Sequence, residues 1–378
     1  MKNILFKIFK RRINYKSSVE VRVFKDAVLH NLHSYQKKYP NVQFAPVIKS
    51  NAYGHGLEIV GKILDSEDLP FLMVDSFFEA VSLRQSGVKT KILILGYVTE
   101  EQIFQTKLQN LSFAIIDLEQ LKNVCQQLKS PTRFHLKVDT GMHRQGILLS
   151  QVDRAIAIIK SNKNFILEGV CSHFADADGE NSEFTLEQIK KWEEVVKIFK
   201  QNFPNIQYLH LGNTAGSFYS NKITANVCRL GIGLYGVNAS PFVDLGLKPA
   251  LEMVSLISSI KNIPAGDKVG YGITFESSKG MIVATVPVGY NEGVDRRLSN
   301  KGFYKVGAVF CPIVGRVSMN ISSIDVTEVP NVKFEDEVVV ISANKGDKNS
   351  VENIAKMCSC IPYEVFVRMP QNLRRVVV

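Results

Sequence analysis

The stretch that decides the fold runs from Phe165 to Leu211, FILEGVCSHFADADGENSEFTLEQIKKWEEVVKIFKQNFPNIQYLHL. It opens with an apolar run, Phe165–Ser172, with the density of a strand buried on both faces. A polar break follows. Thr185 and Gln188 then stand at capping-box spacing, and Ile189, Trp192, Val196 and Phe199 fall on one face of a helix. A second short apolar run, Tyr208–Leu211, closes the unit. Strand, helix and strand in this order describe one parallel crossover.

The same phrase recurs on both sides of this stretch, from about residue 40 to residue 236. The other apolar runs are Gln43–Ile48, Phe71–Val74, Lys91–Leu95, Ser112–Ile116, Arg133–Val138 and Val227–Tyr235, which makes eight. Eight such units over about two hundred residues predict an α/β fold of the TIM (β/α)8 barrel type. A doubly wound sheet would show fewer strands and a glycine-rich first turn, which is absent. After Pro249 the helical phrases nearly vanish. Val254–Ile263, Met281–Val288, Val306–Val314, Ile321–Val326 and Val338–Ile341 read as strands separated by turn signals such as Pro264-Ala265-Gly266-Asp267. The reading is a basic extension at 1–18, a barrel at 19–249 and an all-β domain at 250–378, which the strand-like stretch Val19–Phe24 is placed to join.

Composition narrows the class. The chain has 378 residues, 45% hydrophobic and 22% charged, ordinary for a globular protein too long for one compact core. No apolar run approaches the ~18–20 residues of a membrane helix. The start, MKNILFKIFKRR, breaks its apolar run at Lys7 and lacks the core of a secretory signal. It reads as a frayed or surface-lying extension. The net charge of +10 is dispersed among acidic residues, and beyond Lys7–Arg12 no basic block is interleaved with aromatics, so a nucleic-acid partner is not expected. Six scattered cysteines, with Cys358 and Cys360 too close to bridge easily and a poor metal motif, fit reduced thiols in a cytoplasmic protein.

Barrel active sites lie at the C-terminal ends of the strands. Those ends carry Lys49, the segment Lys137–Gly141, His173, the segment His210–Thr214, and Arg229-Leu230-Gly231. A desolvated lysine has a lowered pKa and forms Schiff bases. After the seventh and eighth runs, Asn213-Thr214-Ala215-Gly216-Ser217 and Gly231-Ile232-Gly233 offer hydroxyls and approachable N–H groups that suit a phosphate. A Schiff-base lysine and a phosphate cradle at one mouth point to pyridoxal 5′-phosphate (PLP) or to a sugar-phosphate aldolase.

The run Val47-Ile48-Lys49-Ser50-Asn51-Ala52-Tyr53-Gly54-His55-Gly56 resembles the PLP-lysine signature of the alanine racemase family. The resemblance continues through His135–Met142, Ser172–Ala175, Arg229–Ile232, Gly270–Gly272, Pro287–Tyr290, Gly315–Met319 and Tyr363–Val365. It implies that Lys49 holds PLP and acts as base on one face of the substrate Cα. Tyr271 is implied as the acid/base on the opposite face, reaching the site from the other subunit of a homodimer. Returning a proton to the face it left would change nothing, so racemisation needs both. Arg229 is implied to face the pyridine nitrogen, where a guanidinium does not readily give up its proton. His173 is implied against the PLP ring, linking Tyr271 to Arg229. Tyr53, Asn213, Thr214, Gly231, Ile232 and Tyr363 match the cofactor-binding set. Arg144 and the Met319 backbone match the substrate-carboxylate site, and Lys137 a lysine carbamylated in many members.

The departures lie at the entrance. His143 stands where glycine is common, Gln145 replaces an aliphatic residue, Asp176 a small or hydroxyl residue, and Asn320 an aspartate; Arg316, Tyr290 and Asp178 are retained. These bear on strictness for alanine, and Asp176 suggests a larger or more polar side chain. Three rivals share parts of the pattern. A barrel-type amino-acid decarboxylase would pair the ring nitrogen with a carboxylate rather than Arg229. A non-catalytic PLP-binding barrel would lack the β-domain, and a broad-specificity or inactive racemase would keep the same motifs. The expected function is racemisation of alanine in the cytoplasm, supplying D-alanine for peptidoglycan.

Overall fold

The computed structural model describes residues 17–378, so the basic extension read at 1–18 lies outside the described residues except for Ser17 and Ser18. The eight apolar runs become eight strands: Gln43–Pro46, Leu72–Val74, Ile92–Ile94, Leu111–Ile115, Thr132–Asp139, Phe165–Cys171, Tyr208–His210 and Val227–Leu230. The second to seventh lie parallel in one sheet in chain order. The first and eighth pair with each other, Ala45 opposite Arg229. Val47 bridges to Met73 on one side of that pair. On the other side the Arg229 N–H donates to the Gly212 carbonyl at 3.0 Å. The parallel strands thus curl into a barrel. Leu72, Met73, Val74, Ile92, Leu93 and Ile94 are wholly buried, as strands covered on both faces require.

The helices surround these strands, and two begin with full capping boxes, Ser76 with Glu79 and Thr99 with Gln102. The expected Thr185–Gln188 box is not one. That helix runs from Glu183 to Asn202 with Ser182 at its cap. Both side chains are buried and hold the preceding loop instead. Thr185 donates to the Asp176 carbonyl at 2.9 Å, and Gln188 bonds the Ala175 N–H and the His173 carbonyl at 2.9 and 3.0 Å. Loop anchoring outcompetes capping because these backbone groups have no ladder to join.

The second domain is mostly β, with two short helices at Val351–Met357 and Pro362–Val367 in the stretch read as all-β. Its larger sheet has six strands, and Glu20–Val23 sits inside it between Leu251–Leu256 and Arg374–Val377. The single run read at 254–263 is two strands in two sheets, breaking after the buried Ile257. The run read at 306–314 is one arm of a hairpin: Phe303–Val306 turns at Gly307, at φ 57°, into Val309–Pro312. Among the described residues no helix is long and apolar enough to cross a membrane.

Candidate active site

The first barrel strand ends in an unusual turn. Ser50, Asn51, Ala52 and Tyr53 have φ of 55°, 56°, 51° and 51°. Each left-handed residue costs about 1–2 kcal/mol, so four in a row persist only where neighbours dictate them. Gly54 follows at φ 81°, and a Cβ there would run into the Phe366 carbonyl oxygen. His55 donates through Nδ1 to the Tyr53 and Ala52 carbonyls at 2.9 and 3.1 Å. Burial pushes its imidazole down to about 3, so it stays neutral. Asn51 Oδ1 accepts from the Leu57 N–H at 3.0 Å and starts the next helix. The signature from Lys49 to Gly56 is therefore the recipe for a strained turn that presents Lys49 to the barrel mouth.

There a cavity of about 450 Å³ is lined by Lys49, Tyr53, Lys137, Arg144, His173, Asn213, Thr214, Arg229, Gly231 and Tyr363. Lys49 Nζ donates to Asp75 Oδ1 at 2.9 Å. Burial lowers the Lys137 amine, which donates to Gln145 Oε1 at 3.2 Å. Arg229 is buried, and every acceptor it meets is neutral. Nη1 donates to the His210 carbonyl and Nδ1 at 2.8 and 3.0 Å. Nη2 donates to the Ser172 and Leu211 carbonyls, both at 2.8 Å, and to His173 Nδ1 at 2.7 Å. Burial, with the charges of Arg229, Lys137, Arg144 and Lys49, holds His173 down to about 2. A neutral imidazole accepting at Nδ1 carries its hydrogen on Nε2.

A ligand bearing a phosphate and an aldehyde fits this donor set. Thr214 Oγ1 accepts from the Gly231 and Gly233 N–H groups at 2.9 and 3.4 Å, and Asn213 Oδ1 accepts from the Gly216 N–H at 2.8 Å. A Cβ at Gly231 would lie 3.2 Å from Tyr53 Oη and 3.5 Å from Thr214 Oγ1, so the absent side chain leaves a hollow between two hydroxyls. The Tyr53 and Tyr363 rings stand 5.8 Å apart at its rim. Burial and the Asp178 carboxylate push the Tyr363 phenol up to about 12. Ile232 is wholly buried behind the cradle.

The other expected residues lie elsewhere. Tyr271 stands at the tip of a small hairpin between Lys268–Val269 and Phe275–Glu276, flanked by Gly270 and Gly272 at φ 79° and 71°, and is 73% exposed. With Tyr290, Met319 and Asn320 it lines a second cavity on the β-domain. The Arg316 guanidinium lies 3.1 Å from where a Cβ at Gly272 would stand. Asn320 Nδ2 donates to Glu292 Oε1 at 2.7 Å. Within one chain, then, Lys49 and Tyr271 belong to separate cavities. Asp176 and Asp178 are exposed on the loop after the sixth barrel strand and line neither cavity. His143 is also exposed, 3.7 Å from Asp139. The cavity wall also holds polar side chains given no role from the sequence, among them Asp75, Tyr97 and Cys171. Asp75 was findable, because it directly follows the second strand run and so obeys the strand-end rule.

A parallel barrel with a lysine aimed into a mouth of cations, and a β-domain offering an exposed tyrosine, define a class of two-domain barrel enzymes. The family profile described as alanine racemase, N-terminal domain matches residues 23–239, and that for the alanine racemase C-terminal domain matches 250–377. The chain belongs to the alanine racemase family. It is 35% identical over 363 residues to alanine racemase 1 of Caldanaerobacter subterraneus, covering 94% of each chain. It is 34% identical over 366 residues to the alanine racemase of Staphylococcus carnosus, again covering 94% of each. The solved alanine racemase of Bacillus anthracis with bound L-Ala-P superposes with a TM-score of 0.89 at 27% identity, covering 97% of this chain and 96% of that one.

Proposed function

We propose that this chain is an alanine racemase, a cytoplasmic isomerase interconverting L- and D-alanine with PLP, and that it works as a homodimer supplying D-alanine for peptidoglycan. The observation that carries the reading is the left-handed turn at Ser50–Tyr53, which points Lys49 into the same cavity as Arg229 and the Tyr53–Thr214–Gly231 hollow. Lys49 would hold the cofactor covalently, the hollow its phosphate, and Arg229 its ring nitrogen. Bound PLP supplies an electron-accepting ring that makes the amino-acid Cα–H acidic enough for a side chain to remove.

The chain's own groups divide the remaining work. Arg144, on the cavity wall, suits the substrate carboxylate as a forked donor. The Lys49 amine exchanges a proton on one face of Cα. Tyr271 of the partner subunit exchanges one on the other, with the Met319 backbone beside it. Its exposure in the single chain leaves it available to a neighbour. His173, neutral and hydrogenated at Nε2, would donate to that tyrosine oxygen and so favour its phenolate form. Lys137, with its amine lowered by burial, is the group we assign to carbamylation; a ¹³C-carbamate NMR signal after growth on labelled bicarbonate would test it.

The deciding experiment adds PLP and L-alanine to the purified protein and follows optical activity by circular dichroism. The signal is expected to decay to zero, and to persist with Lys49→Ala. A constant signal from protein with PLP demonstrably attached would rule out alanine, and serine, lysine and arginine would then be tried. Asp176→Ala tests side-chain preference: unchanged relative rates across these substrates would remove Asp176 from the specificity set.

A further inference from the structure

Below the cavity, the barrel is filled by a line of polar groups that the proposed chemistry does not use. Arg229 Nη1 donates to His210 Nδ1 at 3.0 Å, and His210 Nε2 lies 2.8 Å from His135 Nδ1. His135 Nε2 faces Glu168 Oε2 at 3.4 Å without making a hydrogen bond to it or to any other group. Both imidazoles are wholly inaccessible and Glu168 nearly so. Glu168 also accepts from Ser112 Oγ at 2.6 Å and pairs with Lys91.

The order of hydrogens along this line is forced. A guanidinium only donates, so His210 Nδ1 is bare. Burial lowers both imidazoles, His210 strongly, and keeps them neutral. Each therefore has one hydrogen. His210 carries it on Nε2 and gives it to His135 Nδ1, and His135 carries its own on Nε2, facing Glu168. Burial would raise Glu168, but the facing His135 N–H, the bonds from Lys91 and Ser112 and the Lys91 charge hold it down to about 2, so the far end of the line is an anion.

Two features show that the backbone is shaped for this line. The pairing of the fifth and sixth barrel strands shifts between Phe134 and His135, whose partners are Leu167 and Gly169, leaving Glu168 as an extra, unpaired residue. Such a bulge re-aims a side chain. Next to it, a Cβ at Gly169 would lie 2.5 Å from His135 Nδ1, so the ring fits only because that side chain is missing.

We propose that Glu168 and His135 are positioning residues for the racemase reaction, fixing the hydrogen on His210 and thereby locking Arg229 as a charged, immobile donor under the cofactor ring. Arg229 is a buried cation whose direct acceptors are all neutral, and a buried charge without an anion is costly. Glu168 supplies that anion through two imidazoles, at a distance that keeps a carboxylate away from the ring nitrogen. A carboxylate in direct contact would share Arg229's hydrogens; relayed through neutral rings, it polarises the line without competing. The inference rests on Arg229 facing PLP.

Neutron diffraction from crystals of the cofactor-loaded wild-type protein tests the order without any variant. Deuterons are expected on Nε2 of both His210 and His135, and a deuteron on Nδ1 of His210 would overturn the proposal. Glu168→Gln and His135→Phe are expected to shift the absorption of bound PLP and to raise pyruvate released per racemisation event about tenfold, the scale of one lost charged hydrogen bond. Ser112→Ala, which touches the same carboxylate outside the line, is expected to move neither readout. Equal losses of rate with spectrum and pyruvate ratio unchanged would make the two residues merely structural and overturn the proposal. If wild-type protein bound no PLP, the functional reading would fall, and the neutron map of the protein alone would still decide the hydrogen order.

Discussion

The two turns that carry the proposed acid/base residues are built in opposite ways. At Lys49, four left-handed residues are locked by His55, Asn51, Gly54 and the packing of Phe366, all within one chain. At Tyr271, Gly270, Gly272 and Ile273 also have positive φ, yet Tyr271 and Ile273 are 73% and 63% exposed. Strain at the first site is over-determined from inside. At the second it is shared by two glycines and the exposed Ile273, and the surface around it, Met319 and Ile321 included, is left open. One half-site is finished by its own fold; the other is shaped for something to cover it, which we assign to a second copy.

The largest test of that contrast is Tyr271→Phe. Removing one of two bases should lower racemisation about a hundred- to ten-thousand-fold. Lys49 should still exchange the Cα hydrogen of one enantiomer with deuterated solvent, as seen by NMR. Exchange with both enantiomers, or with neither, would break the division of faces. Gly54→Ala comes next. A left-handed side chain pressed on the Phe366 carbonyl should cost about 3 kcal/mol in denaturant unfolding, and a loss under 1 kcal/mol would mean the turn is softer than its contacts suggest.

Acid should act on the locked half as well. His55 and His173 are held near 3 and 2 in the fold, whereas unfolded imidazoles take protons near 6.5. Below that pH the unfolded chain binds more protons, so stability falls as pH drops from about 6.5 toward 3. A fully buried imidazole such as His55 contributes up to about 1.4 kcal/mol per pH unit. Glu168, held at about 2, adds to the fall below its ordinary value near 4.5. Melting temperatures at pH 7.5, 6 and 5 should therefore decline; a flat profile would show that these rings are not neutral in the fold. The smallest effect is expected at the open half. Gly272→Ala meets only the flexible Arg316 guanidinium and should cost only the left-handed penalty of about 1–2 kcal/mol, with a larger effect on activity than on melting.

How much of this was legible in the sequence follows from which interactions are local. Buried parallel strands are apolar over their whole length, so all eight announced themselves. The signature at Lys49–Gly56 was read through its resemblance to the family's, and only the structure shows that its Asn, Gly and His brace a left-handed turn. What escaped depends on contacts distant in the chain. Thr185 and Gln188 have the spacing of a cap, but the loop at 173–176 claims their side chains. Glu168 lies inside the apolar run Phe165–Ser172, and only the register of the neighbouring strand shows that it is the bulged residue. The hairpin at 303–312 was blurred because Gly307 sits in one continuous apolar texture.

The lock on Lys49 also sets an order in time. Gly54 gives its carbonyl to Arg375 Nε at 2.8 Å and abuts Phe366, and Arg374–Val377 closes the larger sheet beside Glu20–Val23. A nascent chain exposes its reactive lysine more than three hundred residues before these partners emerge from the ribosome. Until residues 366–377 have been made the amine hangs on an unbraced loop, so the lysine of the first domain is locked only by the arrival of the second.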